Sequence, residues 1–86
     1  MMKFDILIRD ALGIHARPAG ALVKTAKSFS SVITLEKTDG KAADMKKLFD
    51  IMGLAVKKGD KVTVTASGAD ETAAIQKIRE TFETYL

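Results

Sequence analysis

No cysteine occurs in this 86-residue chain. That excludes disulfides, thiolate metal sites and cysteine nucleophiles. Histidine occurs once, at position 15, and the carboxylates are scattered, so no transition-metal constellation of the usual kind can be assembled. Neither a metal nor a cofactor is expected. Long hydrophobic runs are also missing: the longest apolar stretches fall far short of a membrane span. Met1 to Arg9 alternates instead of forming a signal-peptide core, so a cytoplasmic protein without membrane insertion is expected. Tryptophan is absent, and the 4 Phe and 1 Tyr are not interleaved with basic residues in the way that stacks bases. The balance of 14 basic to 11 acidic residues, with Lys46, Lys47, Lys57, Lys58 and Lys61 clustered, therefore reads as a solvated face or one that meets acidic proteins, not nucleic acid.

What is present fits one small domain over residues 1–86, able to bury roughly 60% of its unfolded surface. Phe4, Ile6 and Ile8 alternate with Asp5, Leu7 and Arg9, a half-buried strand. Ala19, Leu22, Val23 and Ala26 recur at helical spacing and predict a helix from about Ala16 to Lys27. Gly20 inside it costs about 1 kcal/mol against Ala, which close packing or a closely approaching partner could explain. Val32 to Lys37 is β-branched, and Thr38-Asp39-Gly40 forms a short hairpin loop into a weaker strand from about Lys41 to Asp44. Leu48, Ile51, Met52 and Ala55 mark a short helix ending near Gly53. Val62, Val64 and Ala66 then alternate with Thr63, Thr65 and Ser67 in the clearest one-sided strand. Asp70 and Glu71 open a last helix whose apolar face is Ile75, Ile78, Phe82 and Tyr85. The order βαββαβα predicts an α/β two-layer open-faced sandwich, a mainly antiparallel four-stranded sheet covered on one face by three helices.

The one histidine stands in the run Leu12-Gly13-Ile14-His15-Ala16-Arg17-Pro18-Ala19. The sole proline falls in the first helical turn, where its missing N–H leaves no bond unmade. A helix N-terminus offers unpaired N–H groups and the positive end of the dipole, together an anion site. His15 and Arg17 place a nucleophilic nitrogen and a forked cation beside it. Neutral imidazole is nucleophilic near neutral pH, and the phosphorus–nitrogen bond it forms is high in energy, so a phosphoryl group taken up can be passed on. Stabilisation of the added charge by the helix start at Ala16, Arg17 and Pro18 must stay moderate, or the group would never leave.

Gly13-Ile14-His15-Ala16-Arg17-Pro18-Ala19 resembles the active-site signature of HPr, the histidine phosphocarrier family of the bacterial phosphoenolpyruvate-dependent sugar phosphotransferase system. The likeness covers essentially the whole chain, and Ser67-Gly68-Ala69-Asp70-Glu71 looks like the family's start of the last helix. The resemblance implies a relay protein and not a stand-alone enzyme. Enzyme I, charged by phosphoenolpyruvate, would phosphorylate Nδ1 of His15, and the group would pass to IIA domains of sugar permeases with Arg17 assisting. The family's apolar docking patch on the second helix maps onto Leu48, Phe49 and Met52, and Gly20 and Lys47 are expected as further partner-binding positions. A carrier that visits two partners with one face is most simply a monomer.

Two departures qualify the resemblance. Gram-positive HPr proteins begin the second helix with a lysine and a serine that a dedicated kinase phosphorylates. Lys46-Lys47 stands here, and no Ser, Thr or Tyr lies between Lys41 and Asp60. Leu12 occupies a position that is polar in many members, a feature shared with nitrogen-branch carriers. A carrier of a specialised or nitrogen-related branch, and a non-catalytic regulatory binding module, remain as alternatives.

Overall fold

The computed structural model describes all 86 residues, Met1–Leu86. Its elements run β1 (Met2–Leu7), α1 (Ala16–Lys27), β2 (Val32–Lys37), β3 (Ala42–Asp44), α2 (Leu48–Gly53), β4 (Lys61–Ser67) and α3 (Glu71–Tyr85). The four strands form one sheet in the order β1-β4-β2-β3, and every neighbouring pair is antiparallel. This is the expected open-faced sandwich.

Alternation decides which face is covered. Phe4 pairs with Val64, Val64 with Leu35 and Leu35 with Ala43, so one inward row crosses the whole sheet, and all four residues are buried. The neighbouring row, Asp5, Thr63 and Glu36, turns to the open face, where the Thr63 hydroxyl donates to Asp5 at 2.6 Å. Over the inward rows, α1 contributes Ala19, Leu22 and Ala26, and α3 contributes Ala74, Ile78 and Phe82, all fully buried. Alanines let the two helices approach closely, and their hydroxyls at Thr25 and Thr81 meet at 3.2 Å. Phe82 also stands edge-on to Phe4, with ring centroids 6.1 Å apart, an arrangement worth about 0.5–1.5 kcal/mol beyond its burial.

The hairpin loop holds Thr38, Asp39 and Gly40 as expected. Lys37 N–H bonds to Lys41 O at 2.8 Å, and Gly40 takes a φ of +90°. Two expectations need correction. In α2 only Ile51 of the anticipated stripe is fully buried, Met52 is exposed, and Ala55 lies outside the helix while Leu54 and Met45 fill the core. The cause is length. The helix spans six residues and the chain then turns through Ala55 at φ +53°, so an i+7 position cannot remain in phase. On α3, Tyr85 does not continue the buried face. It is 40% exposed, because it is the last residue of the helix and no further turn packs over it, and the buried stripe instead runs from Ala74 through Ile75 and Ile78 to Phe82.

The β4–α3 corner is tied to the α1–β2 loop by one carboxylate. Asp70, at the N-cap of α3, does not cap its own helix. Its oxygens accept from the Ser31 hydroxyl, the Ser30 N–H at 2.8 Å and the Ser31 N–H at 3.0 Å. These bonds, led by the Ser31 hydroxyl, lower the Asp70 carboxyl from its ordinary 3.8 to about 2. The adjoining Gly68 packs so close to Ser31 that a Cβ would sit 2.8 Å from the Ser31 Cα. A folded-state value below the unfolded one stabilises the fold above about pH 4, and that contribution disappears as pH falls towards 2. Asp70→Asn is therefore expected to destabilise the protein at neutral pH, with the gap from wild type narrowing between about pH 4 and 2. Urea melts across that range, read by circular dichroism, measure it.

Candidate functional site

Helix α1 begins where it was expected, and His15 is its N-cap residue. Its backbone is extended, at φ −104° and ψ −176°, and its side chain makes no capping bond. The imidazole is thus left available. The first helical hydrogen bond runs from Ala19 N–H to His15 O at 3.0 Å, and the N–H groups of Ala16 and Arg17 make no hydrogen bond within the protein. Pro18, buried in the same turn, has no N–H to satisfy. Two free amides and the positive end of a 12-residue helix therefore lie next to the imidazole.

The loop that delivers His15 is fixed from both ends. Its first end extends β1, since Ile8 N–H bonds to Asp60 O at 2.9 Å and Gly59 N–H bonds to Ile8 O at 2.8 Å. Asp10 then folds the chain back: its Oδ1 accepts from Leu12 N–H at 2.8 Å and its carbonyl from Gly13 N–H at 2.9 Å. Gly13, at φ +67°, is buried against the backbone of Val56 and Lys57, and a Cβ there would overlap the Val56 carbonyl oxygen and lie 2.8 Å from Lys57 Cα. The same Val56 oxygen accepts from Ile14 N–H at 3.1 Å. Ile14 itself is buried in the core, so the residue before His15 anchors it.

A depression of about 480 Å³ opens at this helix start, lined by Asp10, His15, Arg17, Pro18, Thr84 and Tyr85. The expected pair His15 and Arg17 is brought together there with Pro18, while Ala16 stands exposed at the helix start. Three of the lining residues were not expected at the site, and Tyr85 among them was expected on a buried face. Asp10 carries a usable signal, because an aspartate three residues before a glycine is a turn pattern. Thr84 and Tyr85 carry none, since the opposite end of the chain reaches the site only through the packing of α3 on α1 and the sheet. Asp10 Oδ1 lies 3.8 Å from His15 Nε2, and both side chains are about one-third exposed.

The other candidates lie outside the depression. Phe49 is 84% exposed, and Met52 and Lys47 are exposed as well, whereas Leu48 is half-buried against the core. Lys47 is the N-cap residue of α2 and, like His15, has an extended backbone and makes no side-chain cap. Gly20 is exposed on α1, which packs beside α2, and a Cβ at Gly20 would meet nothing within 4 Å. Internal close packing does not account for that glycine.

Residues 2–84 match the family model described as the PTS HPr component phosphorylation site. The chain belongs to the HPr family. It is 42% identical to phosphocarrier protein HPr of Mycoplasma capricolum over 81 residues, which is 94% of this chain and 90% of that protein. Among solved structures it resembles a mycoplasma histidine-containing phosphocarrier protein at 40% identity with a TM-score of 0.94, covering 96% of this chain and 93% of the other. An HPr of Thermoanaerobacter tengcongensis aligns at 39% identity with a TM-score of 0.91, over 98% of this chain and 93% of that one. As an HPr phosphocarrier, this protein places its helix start and its lone histidine on a frame shared across that family.

Two glycines in and beside the site should respond in opposite directions to one added methyl. Gly13→Ala forces a left-handed backbone and a clash with Val56, and is expected to destabilise by about 2–5 kcal/mol. Gly20→Ala sits in open space within a helix and should stabilise by about 0.5–1 kcal/mol. Paired urea denaturation curves separate the two.

Proposed function

We propose that this HPr protein relays a phosphoryl group through His15, accepting it from phospho-enzyme I and passing it to IIA domains of sugar permeases. The observation that carries the reading is the imidazole left free of any capping bond at the start of α1, with the free amides of Ala16 and Arg17 beside it and Arg17 lining the same depression. Phosphoryl transfer asks a protein mainly for positioning and for charge stabilisation at the oxygens of the group in flight. A neutral imidazole nitrogen supplies the nucleophile. Oriented N–H donors and a forked cation stabilise the phosphoryl oxygens before and after transfer. The site is a shallow surface feature, which suits a group that must be handed to a second protein. Open access and moderate stabilisation both favour release.

Docking follows from what is exposed nearby. Phe49 and Met52, with the half-buried Leu48, form an apolar patch on α2, Lys47 adds a positive charge, and Gly20 keeps the adjacent surface of α1 low enough for a partner to approach. One such face used in turn by donor and acceptor fits a cytoplasmic monomer of a single domain, although an HPr dimer of Thermoanaerobacter tengcongensis is known among the relatives. No helix is long and apolar enough to cross a membrane.

Lys47 stands where the regulatory serine of Gram-positive relatives would be. A fixed positive charge there favours acidic partners, the opposite of what a phosphoserine would do.

In a mixture with enzyme I and phosphoenolpyruvate, wild type is expected to gain acid-labile phosphate and His15→Ala none. Equal labelling of the two, or no labelling of wild type, would defeat the relay. Arg17→Ala should slow uptake by about 10-fold or more, the loss expected when a charge-assisted donor to the moving group is removed. Incubation with ATP and the serine kinase should leave residues 41–60 unlabelled, and phosphate recovered there by mass spectrometry would contradict the reading of Lys47.

A further inference from the structure

Asp10 is the one carboxylate lining the depression around His15. Its position is set by its own turn, since Oδ1 holds the Leu12 N–H at 2.8 Å and the main-chain carbonyl holds the Gly13 N–H at 2.9 Å. The same Oδ1 lies 3.8 Å from Nε2 of the imidazole. That separation is too long for a hydrogen bond and short enough for ionic attraction. The charged and titratable groups around the ring are Asp10 from the β1–α1 loop, Arg17 from the first turn of α1 and Tyr85 from the end of α3. Of these, only Asp10 is a carboxylate, and it faces Nε2.

We propose that Asp10 is a positioning residue for the phosphoryl relay. Its carboxylate keeps the imidazole proton on Nε2, which leaves the Nδ1 lone pair as the nucleophile, and it offsets the positive charge of the ring once Nδ1 is bonded to phosphorus. The proposal rests on His15 being the phosphoryl acceptor. During uptake the Nδ1 lone pair forms the nitrogen–phosphorus bond while the donor's bond to phosphorus breaks, and that electron pair leaves with the donor. Nε2 retains its proton and the ring becomes cationic beside Asp10. During delivery the acceptor's lone pair takes the phosphorus and the nitrogen–phosphorus electrons return to Nδ1. A ring still protonated at Nε2 is the better leaving group, so the same carboxylate assists both directions. This is the second-site logic by which a carboxylate on one imidazole nitrogen sets the chemistry of the other.

Asp10→Asn separates this role from turn-building, because the amide oxygen still accepts the Leu12 N–H while the charge is gone. Asp10→Ser, which also forms a turn of this kind, is the second variant should the first lose native amide dispersion. Both are expected to take up phosphate from enzyme I and phosphoenolpyruvate about 5-fold more slowly than wild type, the factor expected for one charge at this distance in a wet site. The pH profile of phosphate release from the phosphorylated variants should move to lower pH, because the cationic ring loses the negative charge beside it. Nitrogen-15 spectra of unphosphorylated His15 should show less proton occupancy at Nε2. If the variants keep wild-type rates, release profile and ring-nitrogen shifts, Asp10 only builds the turn and the proposal fails. Failure of wild type itself to gain phosphate would instead remove the relay on which the proposal rests, so the two failures are distinguishable.

Discussion

Everything around the histidine depends on the approach of Gly13 to the backbone of Val56 and Lys57. The Val56 carbonyl accepts the Ile14 amide at 3.1 Å, and Gly13 passes so close above it that no side chain fits. That contact clamps the loop carrying His15 to the segment between α2 and β4, and the clamp is made of main chain on both sides. Main-chain atoms have no rotamers to relax into, so the start of α1 is held at one height above the sheet. Val56, in turn, is placed by the turn at Ala55, whose left-handed φ of +53° brings the chain back after the short α2. The carbonyl of Leu54 in that turn accepts from Lys37 Nζ at 3.1 Å, and the same ammonium lies 3.8 Å from Asp60. The β2–β3 hairpin, α2 and the turn before β4 are thereby joined under the site.

The rest of the architecture supports the clamp from a distance. The inward row from Phe4 to Ala43 and the alanine-lined contact between α1 and α3 set where the helices lie on the sheet. The packing of α3 on α1 brings its last turn beside the start of α1, and Thr84 and Tyr85 become walls of the depression. At the other end, Asp70 ties the start of α3 to Ser30 and Ser31. One helix is thus fixed at its beginning by a carboxylate and forms at its end part of the wall of the depression. Free amides, a guanidinium-bearing side chain and a nearby carboxylate are thereby gathered around the one imidazole.

Much of this was legible in the chain. Strands β2 and β4 alternate cleanly because each has one dry and one wet face, and α1 shows its buried stripe because it is long enough to repeat it. The His15-Ala16-Arg17-Pro18 run was readable because its chemistry is local to a single turn. Expectation failed at Met52, Ala55 and Tyr85, each near an element's end, where periodicity continues on paper but the helix that would carry it stops. Asp10 was missed for a different reason. Its turn pattern is visible in the chain, but where that turn aims the carboxylate is not.

By itself the sequence determined the βαββαβα order, the apolar face of most elements and the pairing of His15 with Arg17 at a helix start, since all of these depend on spacing within a dozen residues. Only the tertiary structure decided that Thr84 and Tyr85 join the site, that Gly13 is obligatory while Gly20 is open, and that Asp10 stands at Nε2 of the imidazole. Those outcomes depend on how segments far apart in the chain meet, and they were settled by packing on the sheet and main-chain contact between loops.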